Sequence, residues 1–362
     1  MRVVIAGGGT VGHVQPAIAL ARALEHDDVS FIGTAHGAEA ILVRAGGLTF
    51  NSIDISGFDR ARPLSLLGLA PKAARATMQA RRLLRAHPPD VVVGMGGYVS
   101  LPVCTAARLN GNRVILHEQN IVLGLANRVC KRFASRVAVS WEETLSAAGR
   151  RAVFTGNPVL PEFAHFDREA RRDQAFARFD LDPARKTLLV SGGSQGARRI
   201  NEAVVGLSRR WQDRSDRQIL HLVGRAEFES FQSKVEHTGK LRYEMLDFLS
   251  EMIDAYSVAD LALCRGGATT LAEITAVGLP AIVVPYPWHR DRQQERHAEV
   301  LERAGAAVAL ADPETTTDSV GDIADRILGS DEESQRMSAA CRSLGNRDAA
   351  ERLAEVVRGT AA

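Results

Sequence analysis

The segment RVVIAGGGTVGH, residues 2–13, predicts the fold of the first half of the chain. Its β-branched apolar run indicates a buried strand, its glycines allow a tight turn, and an apolar stripe from Ile18 to Leu24 indicates a helix that starts near Pro16. Short apolar runs then alternate, as far as residue 139, with helical patterns around 71–86, 99–109 and 122–134. This alternation is typical of a parallel sheet with helices on both faces.

The same order begins again at KTLLVSGGSQGA, residues 186–197, and further strands are predicted up to residue 284. We therefore predict an α/β protein with two Rossmann-like, doubly wound parallel-sheet domains. The predicted domains are residues 1–159 and 160–343, separated near the proline-containing segment GNPVLPEF. A C-terminal helix at about residues 344–362 could pack back on the first domain.

The composition is that of an ordinary globular protein, with 45% hydrophobic and 24% charged residues among 362. It excludes a disordered chain, a collagen and a coiled coil. The net charge is only +2, which gives no support to nucleic-acid binding, but residues 1–155 hold 18 Lys and Arg against 10 Asp and Glu. This basic half would suit an anionic surface such as a bilayer with acidic lipids.

Four widely separated cysteines and no run of about 20 apolar residues predict a soluble or peripheral protein of a reducing cytoplasm. The cysteine spacing favours neither a disulfide framework nor a zinc site.

The first glycine turn, GGGTVGH at residues 7–13, contains G-x-G-x-x-G and leaves two chemistries open. It matches a dinucleotide fingerprint, but the second strand ends in FIGTAH, without the carboxylate that would hold a ribose. A nicotinamide-dependent oxidoreductase is therefore the less favoured alternative. His13 directly follows the turn, at the sheet edge where such folds bind ligands, and is a candidate base or ligand-binding residue.

The second half offers groups suited to a nucleotide sugar. The loop GGSQGA, residues 192–197, provides backbone amides and a hydroxyl for a diphosphate. In CRGGATTLAEITAVGLPAIVVP, residues 264–285, Arg265 follows a strand and Glu273 falls in the second turn of a helix. That carboxylate could accept two ribose hydroxyls, and Gln293 and Gln294 could read sugar hydroxyls.

Eight motifs in order resemble those of the MurG-type N-acetylglucosaminyltransferases of bacterial peptidoglycan synthesis, over nearly the whole chain. They are GGGTxGH, GMGGYVS, LHEQN, GNPV, GGSQGA, CRxGAxTxxE, GLPAIxVP and DRQQ. The resemblance implies a GT-B fold with the nucleotide-sugar site in a cleft between two Rossmann-like domains. It implies transfer of N-acetylglucosamine from UDP-GlcNAc to the C4 hydroxyl of the muramoyl sugar of undecaprenyl-diphosphate-linked lipid I, with inversion, giving lipid II. It also implies a peripheral protein on the cytoplasmic side of the cell membrane, acting in cell wall biogenesis.

The resemblance also assigns site residues. It makes His13 the base, with Glu118 as the runner-up, and predicts no cofactor and no metal site. The predicted UDP-GlcNAc-binding residues are Thr10, Val11, Gly12, Asn120, Ser194, Leu249, Arg265, Ala268, Thr269, Thr270, Leu271, Ala272, Glu273, Gln293 and Gln294. The predicted acceptor-side residues are Tyr98, His117 and Asn127.

The chain departs from the family pattern at four positions. Val11 and Gly266 stand where the family has glycine and serine, Leu160 replaces an arginine, and His297 replaces an asparagine. Val11 and Leu160 keep open a non-catalytic sugar-nucleotide-binding protein, and a GT-B enzyme with another lipid acceptor remains a further alternative.

Residues 61–86 are predicted to contact the membrane. An apolar cluster precedes a basic helix, and no acidic residue lies between positions 60 and 89. Apolar residues beside a basic helix are typical of an interfacial segment. The residues are Leu64, Leu66, Leu67 and Leu69, followed by Lys72, Arg75, Arg81, Arg82 and Arg85.

Overall fold

The computed structural model describes residues 1–8, 11–56, 69–193, 196–235, 239–288 and 291–361. The chain forms two units. Unit 1 comprises Met1–Pro161 with Asn346–Ala362, and unit 2 comprises Glu162–Gly345. The chain thus passes from one unit to the other within the proline-containing segment 156–163 and returns at Asn346.

Unit 1 is built on a parallel sheet of seven strands in the order β3-β2-β1-β4-β5-β6-β7. The strands are β1 (Arg2–Ala6), β2 (Asp28–Gly33), β3 (Thr49–Ser52), β4 (Val91–Gly94), β5 (Arg113–Glu118), β6 (Arg136–Val139) and β7 (Ala152–Phe154). Val3 of β1 pairs with Val29 on one side and with Val91 on the other. The direction of winding reverses between β1 and β4, which is where open parallel sheets bind ligands.

Helices cover both faces of this sheet. They are α1 (Val11–Ala23), α2 (Ala38–Ala45), α3 (Leu69–Ala86), α4 (Gly97–Leu109), α5 (Leu125–Cys130) and α6 (Leu145–Ala148). Ile5 packs with Leu20 of α1 in one core, and Val4 packs with Leu84 of α3 in the other. Because β1 is buried on both faces, its run of apolar residues is continuous rather than alternating.

Unit 2 repeats this plan with six parallel strands in the order β10-β9-β8-β11-β12-β13. The strands are β8 (Lys186–Ser191), β9 (Arg217–Leu222), β10 (Arg242–Leu246), β11 (Leu261–Cys264), β12 (Ala281–Val283) and β13 (Ala307–Ala309). The helices are α7 (Pro161–Ala164), α8 (Arg168–Arg178), α9 (Arg198–Arg210), α10 (Phe228–Gln232), α11 (Met252–Val258), α12 (Ala268–Val277), α13 (Gln293–Arg303), α14 (Thr317–Leu328) and α15 (Asp331–Leu344). Here the winding reverses between β8 and β11.

The C-terminal segment consists of two helices rather than one. After α15 the chain forms α16 (Ala349–Ala361), whose Leu353 and Val357 are buried in a core of unit 1. The break follows from Gly345, where a Cβ atom would lie 2.5 Å from the carbonyl oxygen of Thr275. Only glycine allows this approach, and its ψ of 122° takes the backbone out of the helical region, where α15 ends.

Two local predictions are wrong. The first helix begins at Val11 rather than near Pro16, so the proline lies inside α1 and removes one helical hydrogen bond there. The predicted helix at 122–134 is limited to α5. No helix in the described ranges has the length and apolar character needed to span a bilayer.

Candidate active site

His13 lies in the first turn of α1, directly after the glycine turn that follows β1. Its imidazole packs against the turn between β4 and α4. A Cβ atom on Gly96 would lie 3.4 Å from Cε1 of His13, and one on Gly97 would lie 3.4 Å from Cδ2. Both glycines have positive φ, 88° and 74°, which disfavours any other residue. The MGGY motif therefore forms the wall against which the His13 ring rests.

His13 is half-buried, and its Nδ1 lies 3.1 Å from Oε1 of Gln119. Burial lowers the pKa of His13 below its ordinary value of 6.5, and the charge of Glu118 and the hydrogen bond to Gln119 oppose that shift. The ring is therefore mainly neutral at pH 7. A neutral imidazole with one lone-pair nitrogen can accept a proton, as a general base must.

Glu118, the predicted alternative base, has a carboxylate that accepts hydrogen bonds from the protein itself. Its carboxylate is buried, with the residue only 2% exposed, and each oxygen accepts two hydrogen bonds. Oε1 accepts from the backbone N (3.1 Å) and Nδ2 (3.3 Å) of Asn120, and Oε2 from Gly124 N (2.8 Å) and Asn127 Nδ2 (2.9 Å). Four donors occupy the carboxylate. Glu118 therefore organises the loop of residues 120–124 and is not free to act on a substrate.

The predicted acceptor-side residues lie beneath the surface of this edge. His117 is fully buried, its Nε2 lies 3.2 Å from the carbonyl oxygen of Gly156, and burial lowers its pKa to about 4. Asn127 is buried too, and its Nδ2 also donates to the carbonyl of His117. Tyr98 is half-buried against the core. Both His117 and Asn127 are enclosed by the protein, so the side chains of these two predicted acceptor-side residues are not exposed at this edge.

The equivalent edge of unit 2 carries Glu273, in the second turn of α12 just after β11. The Tyr256 hydroxyl of α11 donates to Oε2 of Glu273 at 2.9 Å. Burial raises the pKa of Glu273 to about 7, the charge of Glu162 adds to that shift, and the Tyr256 hydrogen bond opposes it. Oε1 makes no hydrogen bond to the part of the chain that the structure describes. This oxygen, on a half-buried carboxylate, is placed to accept from a ligand hydroxyl.

Arg265 directs its charge into the protein. Its Nη1 donates to Oδ1 of Asp312 at 2.6 Å and to the carbonyl of Pro285 at 3.2 Å. Asp312 also pairs with Arg199 at 3.1 Å. In this structure Nη1 of Arg265, a predicted UDP-GlcNAc-binding residue, is thus engaged by a carboxylate that it shares with Arg199.

The remaining predicted donor residues differ in exposure. Ala268, Thr269, Thr270 and Ala272 are half-buried in the first turns of α12, whereas the Leu271 side chain is buried in unit 2. Leu249 is half-buried in the loop after β10, and Gly12 is half-buried in α1. Thr10, Ser194 and the side chain of Val11 lie outside the described residues. In the described ranges no three His, Cys, Asp or Glu side chains form a group that could hold a metal ion.

Comparison with known proteins identifies the family. The descriptions "Glycosyltransferase family 28 N-terminal domain" and "Glycosyltransferase family 28 C-terminal domain" match residues 3–139 and 187–353. A UDP-N-acetylglucosamine–N-acetylmuramyl-(pentapeptide) pyrophosphoryl-undecaprenol N-acetylglucosamine transferase of Halothermothrix orenii is 36% identical, covering 100% of this chain and 99% of its own. The chain belongs to the MurG-type transferases of glycosyltransferase family 28.

Two further relatives agree. The transferase of the same name from Nocardioides sp. is 41% identical, covering 99% of this chain and 97% of its own. The crystal structure of Acinetobacter baumannii MurG matches with a TM-score of 0.77 and 27% identity, covering 99% of both chains. The predicted family and the fold class of two parallel-sheet α/β domains are thereby confirmed.

Two departures from the MurG-type pattern are in contact with each other. Nδ1 of His297 lies 2.9 Å from the carbonyl oxygen of Gly266, and because a carbonyl only accepts, Nδ1 carries the proton. A Cβ atom on Gly266 would lie 2.8 Å from the carbonyl oxygen of Gln294. The space that the family's serine needs is therefore occupied here by the backbone at the start of α13. Both departures are visible in the sequence, but only the fold brings residues 266 and 297 into contact.

The same segment holds the two predicted sugar-reading glutamines at the start of α13. Oε1 of Gln294 accepts from the backbone N of Tyr286 at 2.8 Å, so its Nε2 is the group left to face a ligand. Gln293 is half-buried as the first residue of the helix.

Leu160, which replaces the family's arginine, is half-buried and packs against a core of unit 1. Its side chain serves the core rather than an anion site.

One residue of the site was missed. Gln119 lies within the HEQN motif, is 1% exposed and contacts both His13 and His117. Its position in that motif was visible in the sequence, but only the structure shows what it touches.

Proposed function

We propose that this chain transfers N-acetylglucosamine from UDP-GlcNAc to the C4 hydroxyl of the muramoyl sugar of undecaprenyl-diphosphate-linked lipid I, forming lipid II for peptidoglycan. The observation that carries the proposal is the match over the full chain length, at 36–41% identity, to transferases named for this activity. The nicotinamide and non-catalytic alternatives are not favoured by these relatives.

The acceptor side of the reaction is assigned to His13. A ring nitrogen of the neutral imidazole takes the proton of the C4 hydroxyl while the C4 oxygen forms its bond to C1 of N-acetylglucosamine. The bond from C1 to the β-phosphate oxygen breaks, and its electron pair leaves with UDP. Attack on the face opposite the departing UDP inverts the configuration at C1. The lowered pKa of His13 supports this role, because the base is already deprotonated at pH 7.

The donor side is assigned to the carboxyl edge of unit 2. The ionised Glu273 accepts from the ribose hydroxyls, and the Tyr256 hydroxyl holds the carboxylate in place. Helix α12 begins after Gly267, which provides no side-chain cap, so its N-terminus suits the negative charge of the diphosphate.

The test is transfer of radiolabelled N-acetylglucosamine to a short-chain lipid I analogue by the purified protein. We expect labelled product with UDP-GlcNAc, little with UDP-glucose, and strong loss in His13→Ala. Thermal shift with UDP-GlcNAc and with NADH separates the alternatives. Stabilisation by NADH without transfer would contradict the proposal, and transfer to a different lipid but not to the lipid I analogue would restrict it to the glycosyltransferase class.

We further propose that unit 1 attaches peripherally to the cytoplasmic side of the membrane through α3. Ala76, Ala80 and Leu84 bury one face of this helix. The opposite face is exposed and basic. It carries Arg75, Arg82 and Arg85, with Met78 55% exposed among them, and Lys72 is exposed in the first turn of the helix. Each cation near an anionic surface contributes about 1 kcal/mol, so this face supports reversible attachment. Leu64, Leu66 and Leu67 lie outside the described residues, as does the Leu69 side chain.

Arg81 and Arg85 are less suitable for a test than their neighbours, because both donate Nε to Oδ1 of Asn110 at 3.2 Å. We therefore expect Lys72→Glu/Arg75→Glu/Arg82→Glu to reduce sedimentation with anionic vesicles at low salt, where the attraction is strongest. Turnover of a water-soluble acceptor should be unchanged. The matched control reverses three exposed arginines of unit 1 outside α3, namely Arg22, Arg132 and Arg150. Equal sedimentation of parent and α3 variant would contradict docking through α3, as would an equal loss in both variants.

A further inference from the structure

Gln119 is a buried residue whose side-chain amide links two imidazole rings. Its Oε1 lies 3.1 Å from Nδ1 of His13, and its Nε2 lies 3.1 Å from Nδ1 of His117 and 2.9 Å from the carbonyl oxygen of Met95. The backbone carbonyl of Gln119, distinct from its side-chain amide, accepts a hydrogen bond from Nε1 of Trp141 at 3.0 Å. This bond holds the main chain in place at Gln119.

The orientation of the amide is decided by Met95. A backbone carbonyl oxygen can only accept a hydrogen bond, so the group 2.9 Å from it must be the amide NH₂. Oε1 of Gln119 therefore faces His13. Since an amide oxygen can only accept, Nδ1 of His13 must be the nitrogen that carries the proton.

The hydrogen bonds on the His117 side of Gln119 require the same donor and acceptor directions. The second proton on Nε2 of Gln119 points to Nδ1 of His117, which must then hold a lone pair. Nε2 of His117 is left with the proton, and it faces the carbonyl oxygen of Gly156 at 3.2 Å. Two backbone carbonyls, those of Met95 and Gly156, thus agree on one direction for every bond, which excludes the reversed amide.

We propose that Gln119 is a positioning residue that keeps the proton of His13 on Nδ1 and so presents Nε2 as the lone-pair nitrogen that takes the acceptor proton. The inference rests on the proposed transfer and names the atom that performs it. Nε2 of His13 makes no hydrogen bond to any residue within the described ranges, which fits a nitrogen that awaits a substrate hydroxyl. The glycine wall at residues 96–97 keeps the ring in this orientation.

The first test reads the tautomer and needs no activity. Nitrogen chemical shifts of ¹⁵N-histidine-labelled protein distinguish a protonated ring nitrogen from a lone-pair one, and His13→Ala identifies the signals. We expect a protonated Nδ1 and a lone-pair Nε2 on His13, and the opposite arrangement on His117. A proton on Nε2 of His13 in the parent protein would overturn the inference whatever the activity.

The second test separates positioning from packing. In Gln119→Leu the acceptor for Nδ1 is lost, so we expect the His13 proton to distribute over both nitrogens. We expect kcat to fall roughly tenfold to hundredfold, less than for loss of the base itself, with KM for UDP-GlcNAc within about twofold. In Gln119→Glu one carboxyl oxygen still accepts from Nδ1 of His13, and the other oxygen, which must carry a proton to face the carbonyl of Met95, keeps one donor, so most of the lost kcat should return.

Unit 2 supplies a matched control. Gln218 is also fully buried, and its amide makes three hydrogen bonds, to Asp182 and Thr187, away from any histidine. Gln218→Leu loses comparable bonds and should lower thermal stability without the change in the His13 signals.

The outcomes distinguish the two proposals. A parent-like kcat in folded Gln119→Leu would overturn the positioning role and leave the transferase assignment intact. Absence of transfer by the parent protein would contradict the proposed function, and the nitrogen shifts would then still decide the tautomer. If Gln119→Leu does not fold, the parent spectrum and Gln119→Glu decide the matter.

Discussion

The titration of Glu273 should control donor binding between pH 6 and pH 8. Its pKa is raised to about 7 by burial, so about half of the free protein carries a protonated Glu273 at neutral pH. Ribose hydroxyls donate most strongly to the ionised carboxylate. Binding therefore weakens as the pH falls through 7, because the proton and the donor compete for the same group.

The magnitude follows from the pKa. If only the ionised form binds, the apparent Kd is multiplied by about 11 at pH 6 and about 1.1 at pH 8, which is a tenfold change, or about 1.4 kcal/mol. Binding at pH 7 should also release about half a proton per UDP-GlcNAc. In Glu273→Gln the pH dependence should vanish, and Kd at pH 8 should rise by roughly thirtyfold, the equivalent of about 2 kcal/mol for hydrogen bonds to a charged group.

Calorimetric titration with UDP-GlcNAc at constant ionic strength measures both the Kd and the proton release. Tyr256 and Glu162 are the groups that act on Glu273, and Tyr256 itself stays neutral because burial raises its pKa. Tyr256→Phe removes a hydrogen bond that lowers the Glu273 pKa, so the midpoint of the Kd curve should move to higher pH. A Kd that stays constant from pH 6 to 8, or an equal slope in Glu273→Gln, would refute the reasoning.

Three further substitutions test other parts of the site. His13→Ala should lower kcat by roughly 10²–10⁴-fold with little change in the Kd for UDP-GlcNAc, and a large loss of that affinity instead would argue against a base. In the parent protein, kcat should decline with falling pH only below pH 6.5, because burial lowers the pKa of His13. Gly266→Ser should lower the free energy of unfolding by about 1–3 kcal/mol and lower Tm. The control Gly267→Ser should leave both unchanged, because a Cβ atom there would have its nearest neighbour 3.7 Å away. Equal melting curves for the two variants would show that the backbone of Gln294 moves to make room for the serine. Leu160→Arg removes apolar packing, so Tm should fall without tighter UDP-GlcNAc binding, and a lower Kd would show that the new guanidinium reaches the diphosphate after all.

The two-unit plan was predictable from local patterns, because a buried parallel strand followed by a glycine turn and a helix leaves a continuous signal of about 12 residues. The segments at 2–13 and 186–197 both carried it, and β1, α1, β8 and α9 follow from them. The edge strands β7 and β13 were missed, because AVF and AVA each hold a single β-branched residue, whereas the equally short β12, AIV, holds two.

Some features of the candidate site were also predictable from local sequence patterns, and others were not. The residue types and their order along the chain identified His13 and Glu273 as candidate site residues. Each follows a predicted strand, and the residues that follow parallel strands lie at one edge of the sheet. The roles of Glu118, His117 and Arg265 could not be predicted. Each depends on partners remote in sequence or on burial, such as Asp312, 47 residues from Arg265.

The sequence by itself therefore determined the family, the repeated α/β plan and which loops carry the chemistry, because these depend on local order and composition. Only the tertiary structure decided which polar groups are occupied. In the folded chain His117 is buried, the Glu118 carboxylate accepts four hydrogen bonds, and His297 donates a hydrogen bond to the carbonyl of Gly266. The tertiary structure also placed Gln119 between two rings whose protons are set by the carbonyls of Met95 and Gly156. Hydrogen-bond direction depends on which donor meets which acceptor, and that meeting exists only once the chain has folded.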